Sequence, residues 1–380
     1  MKILFAPDSF KGSLSSTRAI ELLASTAKIH FPHCETIGIP MADGGEGTVE
    51  ALLDTLKGSY ESCNVSGPLG TPVTATYALT KNHTAIIEMA AASGLPLLKP
   101  EERNPLYTTS YGTGELILDA IKKGAASLLL SIGGSATNDG GMGVASALGI
   151  RFLDVNDNVL KPIGANLIRI HKIDSSNLLP EIKSMPITIM CDVKNPLTGP
   201  TGATYIYGPQ KGASPTIADE MEQGMIHYAS VLKKLTGEDY SSMESAGAAG
   251  GFSVPFLAFT KARLASGIDS VMETLHFKDH LKDVDFVITG EGRVDEQSVY
   301  GKVMSGVGKA CKEKGIPACA IVGSMGKDAH KILDFGIESI FPIVPAPMEL
   351  SECMNRSEEL FKDAADRMFR FIKMGMNLKS

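Results

Sequence analysis

The chain has 380 residues, more than one hydrophobic core usually supports, because cores stop growing near roughly 250–300 residues. Two domains are therefore expected, and 43% apolar with 21% charged residues excludes a disordered chain. Lys and Arg number 36 against 43 Asp and Glu, a net charge of -7 with no long basic run, which excludes non-specific nucleic-acid binding.

No stretch approaches the ~20 apolar residues of a membrane span, and the N-terminus opens without a cleavable signal pattern, so a soluble, cytoplasmic protein is expected. The six cysteines are scattered with no C-x-x-C pair, which argues against a zinc site or a disulfide framework.

In chain order, Lys2 to Ser9 reads as a buried strand that runs out at Pro7 into a polar turn. A helix follows, with Ser13 and Ser15 as candidate caps and Ala19, Leu22, Leu23 and Thr26 at helical spacing. A second strand around Thr36 to Met41 ends in Asp43-Gly44-Gly45-Glu46-Gly47 and enters a helix carrying Val49, Leu52, Leu53 and Leu56. Two strand-loop-helix units in tandem indicate a parallel sheet.

From about residue 60 the texture changes to Thr- and Val-rich runs, Thr71 to Leu79 and Thr84 to Met89, which read as antiparallel strands. A helix over 114–123 and strands over 127–132 and 187–193 follow. Near Val284 the first texture returns, with a strand to Thr289, a glycine-rich turn, a helix from Lys302 and strands at Ala318 and Ser339. The fold class expected is α/β: a doubly wound parallel-sheet domain formed by both chain ends, 1–65 plus 285–380, with an inserted mixed α/β domain over 66–284.

In an open parallel sheet, ligands bind beyond the carboxyl ends of the strands. The loop after the first strand offers Asp8, Lys11 and hydroxyls, or else merely caps a helix. The second places Asp43 and Glu46 among three glycines, suited to magnesium, whose hard oxygen ligands need close backbone approach. The run Gly133-Gly134-Ser135-Ala136-Thr137-Asn138-Asp139-Gly140-Gly141-Met142-Gly143, after apolar Leu128 to Leu130, offers many amides for phosphate oxygens; the plain alternative is a flexible turn.

A later run, Ala246 to Gly251, has no strand ahead of it and reads equally as close packing. Asp192 follows a β-branched run and precedes Pro196, while Glu291, Arg293 and Asp295 fall in one tight turn. Such an inventory fits phosphoryl transfer, which needs positioning, metal charge and cationic stabilisation more than covalent chemistry. Neither G-x-x-x-x-G-K-[ST] nor G-x-G-x-x-G occurs, which excludes the usual P-loop and weakens a dinucleotide reading.

Taken together, APDSFKGSLS (6–15), ADGGEGTVEA (42–51), IEMAAASGL (87–95), TTSYGTGEL (108–116), IGGSATNDGG (132–141), CDVKNPL (191–197), GPQKGA (208–213), AGAAGG (246–251) and ITGEGRVD (288–295) resemble the type 1 glycerate kinases. The resemblance spans the chain and implies ATP- and magnesium-dependent phosphorylation of D-glycerate, usually at the 2-hydroxyl, in a cleft between two domains. Tyr111 and Glu244-Ser245 depart from the pattern of some members and bear on fine substrate contacts only. The oligomeric state, monomer or homodimer, is left open.

Because each sits in a strand-terminal loop, the expected metal ligands are a subset of Asp8, Asp43, Glu46 and Asp192. The expected nucleotide contacts are Gly133, Gly134, Ser135, Asn138, Asp139, Gly140 and Glu291. Arg293, whose planar fork matches a carboxylate, is paired with glycerate and Lys11, a point charge, with the transferring phosphate. Asp295 is preferred over Asp192 as the general base, since Arg293 would hold it ionised. The competing readings are a kinase forming 3-phosphoglycerate, a non-catalytic sugar-acid-binding regulator, and a hydroxy-acid dehydrogenase.

Overall fold

Ile3, Leu4, Phe5 and Ala6 have no solvent exposure, as an apolar run must when it forms a strand buried on both faces. A computed structural model describes residues 1–45, 48–299 and 301–377. In chain order its strands are β1 (Lys2–Pro7), β2 (Glu35–Gly38), β3 (Gly58–Ser66), β4 (Pro72–Thr80), β5 (Thr84–Glu88), β6 (Ser127–Ser131), β7 (Arg151–Leu153), β8 (Lys172–Asp174), β9 (Ile187–Met190), β10 (Arg263–Ala265), β11 (Phe286–Val294), β12 (Ala318–Met325) and β13 (Ser339–Pro342).

Contacts divide the chain into two units, Met1–Leu56 with Ser266–Ser380, and Lys57–Ala265. The divisions fall earlier than the 65/66 and 284/285 positions drawn from the sequence. β3 pairs with β4 along its whole length, from Gly58 opposite Thr80 to Ser66 opposite Pro72, which ties it to the second unit. The helix Gly267–Thr274 packs at its start on the backbone of Asp43, so closely that a Cβ on Gly267 would strike the Asp43 carbonyl, and this ties it to the first.

The first unit is a five-stranded parallel sheet in the order β13-β12-β11-β1-β2. From β1 the chain moves outward to β2, and after the second unit it returns beside β1 and proceeds the other way. The reversal leaves a crevice at the carboxyl ends of β1 and β11, the switch point where doubly wound sheets bind ligands. The helix Ser16–His30, capped by the Ser15 hydroxyl, and the helix Ser357–Asn377 contribute Leu23, Phe361 and Phe369 to a core with Phe5 and Ile288.

β11 corrects one expectation. The run 289–295 is no tight turn: the strand continues to Val294, paired with β12 from Val287 opposite Ala318 to Val294 opposite Met325. Gly290 on β11 and Gly323 on β12 serve close strand approach. A Cβ on Gly290 would land on the Ile321 carbonyl oxygen, and one on Gly323 on that of Gly292. Glu291 and Arg293 therefore alternate with glycines along an extended strand and share one face of the sheet.

The second unit holds a six-stranded sheet, β10-β9-β6-β5-β4-β3, in which β10, β9, β6 and β5 run parallel and β4 and β3 are antiparallel. This is the mixed α/β organisation that the change of texture near residue 60 indicated. No helix among the described residues is long and apolar enough to cross a membrane.

Gly290→Ala should part β11 from β12 and lower unfolding stability by about 2–4 kcal/mol. An unchanged midpoint in urea would show that the two strands tolerate a Cβ at that position.

Candidate active site

In the first unit, the amide of Asp8 donates to the Gly290 carbonyl at 2.8 Å, which extends the β1–β11 pairing by one residue past Pro7. Asp8 thus leaves the sheet beside Glu291. Both carboxylates are buried, at 6% and 5% exposure. Burial, then the charge of Asp43, then that of Glu291, push the Asp8 carboxyl up to about 7 against the bond from the Ser9 amide and the pull of Lys11. Burial likewise raises Glu291, opposed by a hydrogen bond from the Ser298 hydroxyl and by Lys302, and reinforced by Asp43 and Asp295.

Asp43 is half-buried and accepts from the Gly45 amide at 3.1 Å. The charge of Asp43 therefore opposes the ionisation of both Asp8 and Glu291, a condition that favours a bound cation. Among the described residues, no group of three or more His, Cys, Asp or Glu is already disposed as a metal cage. Glu46 lies outside the described residues.

A cavity of about 560 Å³ opens over these groups, lined by Asp8, Lys11, Asp43, Glu291, Arg293 and Lys302 among others. A neighbouring cavity of about 360 Å³ shares Asp8, Ser9, Lys11 and Ser13 and reaches Glu50. Arg293 is exposed, and its Nε lies 3.3 Å from an Asp295 carboxylate oxygen, the pairing expected from their spacing.

Lys302 was missed as a site residue. It occupies the N-cap of the helix Val303–Lys314 without capping it. A lysine there offers no acceptor and puts positive charge at the positive end of the helix dipole, and that mismatch is the signal the sequence carried.

In the second unit, the glycine run follows β6 but is turned largely inward. Gly133 and Gly134 are exposed, whereas Ser135 to Gly140 are buried, with Thr137, Asn138 and Asp139 at 0%. Asp139 accepts hydrogen bonds from the Ser110 amide and hydroxyl and from the amides of Gly141 and Gly143, at 2.8–3.1 Å. Its carboxylate joins the start of the helix Tyr111–Lys122 to that of the helix Met142–Ala147.

Asn138 donates to Thr204, and the Gly140 amide to the Gly250 carbonyl at 2.9 Å. The cradle of open amides expected over 133–143 is thus reduced to its first residues, because the later amides are consumed inside the unit. AGAAGG serves close packing: a Cβ on Gly250 would strike the Thr137 carbonyl.

Asp192 is exposed and follows β9. Ser131 pairs with Met190, so Gly133 and Asp192, each two residues on, leave neighbouring parallel strands at the same edge. Glu291 belongs to the first unit with Asp8, in a different unit from the glycine loop.

Residues 3–373 match the glycerate kinase family. A glycerate kinase of Halalkalibacterium halodurans is 43% identical over 96% of this chain and 96% of its own. The glycerate 2-kinase of Escherichia coli K12 is also 43% identical, over 97% of this chain and 96% of its own. A solved structure bearing the name glycerate kinase 2, from Salmonella typhimurium LT2, superposes with a TM-score of 0.91 at 38% identity, covering 99% of both chains.

The Asp8 environment predicts a pH dependence of stability. A carboxyl raised on folding contributes least when ionised, so the metal-free protein should lose stability as pH rises from about 4 through about 7. Asp8→Asn should be more stable than wild type at pH 8, by up to about 4 kcal/mol, and equally stable near pH 4. Thermal melts that differ equally at both pH values would refute this origin.

Proposed function

The chain belongs to the glycerate kinase family, and from that premise we propose that it transfers the γ-phosphate of ATP to the 2-hydroxyl of D-glycerate. The observation carrying this reading is a near full-length family match joined to a cavity at the sheet's switch point, lined by acids and cations together. Glycerate is small and anionic, and Arg293 offers the planar fork that a carboxylate accepts in bidentate fashion. Lys11, on the loop after β1, supplies a mobile positive charge for the transferring phosphoryl group. The Asp295 carboxylate, 3.3 Å from Arg293 Nε, takes the hydroxyl proton as the new O–P bond forms and the bond from the γ-phosphorus to the departing ADP breaks.

The donor set fits magnesium. Asp8 and Asp43 oppose each other's charge, and a divalent ion would relieve that repulsion; magnesium commonly takes one or two carboxylates and completes its shell with phosphate oxygens and water. Bound there, it would neutralise charge on the phosphoryl oxygens. In the second unit, the exposed Gly133–Gly134 turn with Ser135 is our candidate for nucleotide phosphates, supported by the way Gly133 and Asp192 follow neighbouring parallel strands at the same end of the sheet.

Incubation with ATP, magnesium and D-glycerate should give 2-phosphoglycerate by phosphorus NMR; 3-phosphoglycerate would reassign the hydroxyl, and no transfer would refute the reading. Asp295→Asn should lower kcat by about 10²–10⁴ with both KM values within a few-fold. If Asp192→Asn does this instead, the base is Asp192. Arg293→Lys should raise KM for glycerate and leave that for ATP unchanged; the reverse pattern would exchange the roles of Arg293 and Lys11.

A further inference from the structure

Lys211, in the GPQKGA segment, is 1% exposed, which is rare for a lysine because the ammonium must leave water. Its Nζ donates to the Ser135 hydroxyl oxygen at 2.8 Å and to the Thr137 carbonyl at 2.6 Å. Burial pushes the amine down to about 7, while the charge of Asp139 opposes the shift. A lysine held inside at this cost, beneath a turn whose outer residues are exposed, is a poor choice for packing alone. A methionine would fill the same space without the desolvation penalty.

We propose that Lys211 is the positioning residue of the nucleotide-phosphate turn: from inside the unit it fixes Ser135 so that the serine hydroxyl proton is presented to a bound phosphate. The argument is one of donors and acceptors. An ammonium has three donors and no acceptor, so Ser135 Oγ must accept from it. The serine proton is then released for another acceptor. Ser135 adjoins the exposed Gly133 and Gly134, and a phosphate oxygen there has lone pairs and no proton to offer. The second bond, to the Thr137 carbonyl, holds the backbone two residues on, so the turn cannot swing Ser135 away. The flanking bonds from Leu95 N to the Gly134 carbonyl and from Ala136 N to the Ser93 carbonyl fix the turn from the other side. This role rests on the reading that the turn binds nucleotide.

The test is ATP affinity by calorimetry at pH 6.5 for Lys211→Met, Ser135→Ala, the double variant and Gly133→Val. A Cβ at Gly133 meets nothing within 4 Å, so the side chain of Gly133→Val starts in open space, where it would obstruct a ligand, and an unchanged Tm checks that the fold is kept. The expected result is that Lys211→Met and Ser135→Ala each weaken ATP about tenfold and that the double variant is no worse than the weaker single, because both remove one hydroxyl contact. KM for glycerate should be unchanged.

Losses that multiply in the double variant, or wild-type affinity in Ser135→Ala, overturn the role. Ser135→Ala decides this even if Lys211→Met does not fold. If Gly133→Val alone weakens ATP, the turn binds nucleotide and only the role of Lys211 falls. If Gly133→Val also binds as wild type, the nucleotide reading of the turn falls with it.

Discussion

The parallel pairing of β1 with β11 is the constraint on which the first unit depends. It joins residues 3–7 to residues 286–290, so the two ends of the chain close one sheet around a long excursion. Closing so large a loop costs chain entropy that grows only slowly with its length, and fully buried Ile3, Phe5, Val287 and Ile288 offset it by apolar burial. The same register fixes the chemistry. Pro7 opposite Gly290 brings Asp8 out of the sheet beside Glu291, and neither residue has a sequence neighbour that could have done so.

That placement is electrostatically unfavourable in the free protein. Burial and the charge of Asp43 raise the proton affinity of Asp8 and of Glu291, while Lys11, Lys302 and hydrogen bonds from the Ser9 amide and the Ser298 hydroxyl oppose the shift. Folding alone gains nothing from such an arrangement, which is a condition that favours a bound cation. The second unit uses polar burial differently. Asp139 is also buried, yet its four hydrogen bonds satisfy it from within, so it organises two helix starts. A carboxylate's role here follows from whether its partners are supplied by the chain.

The glycines divide along the same line. Gly290 and Gly323 are required by neighbouring strand carbonyls and Gly250 by the glycine run it covers, while Gly133 has open space where its Cβ would be. Only the last kind leaves a surface that a ligand could approach.

The sequence by itself determined the alternation of apolar runs with helical patterns, hence a parallel sheet built from both chain ends and a mixed sheet between them. It also carried motifs specific enough to place the chain in its family. Those properties are local: burial periodicity, turn chemistry and residue order need no knowledge of what lies across the fold.

Tertiary structure alone decided that residues 289–294 continue β11, that Asp139 faces inward, that Lys211 lies under Ser135, and that Lys302 lines the cavity of Asp8. The physical reason is shared by all four. A glycine announces that no Cβ is tolerated, and an acid or lysine that a charge must be satisfied. Whether a ligand or a neighbouring strand makes the first demand, and a cation or a buried amide meets the second, depends on residues as distant in the chain as Asp8 and Glu291.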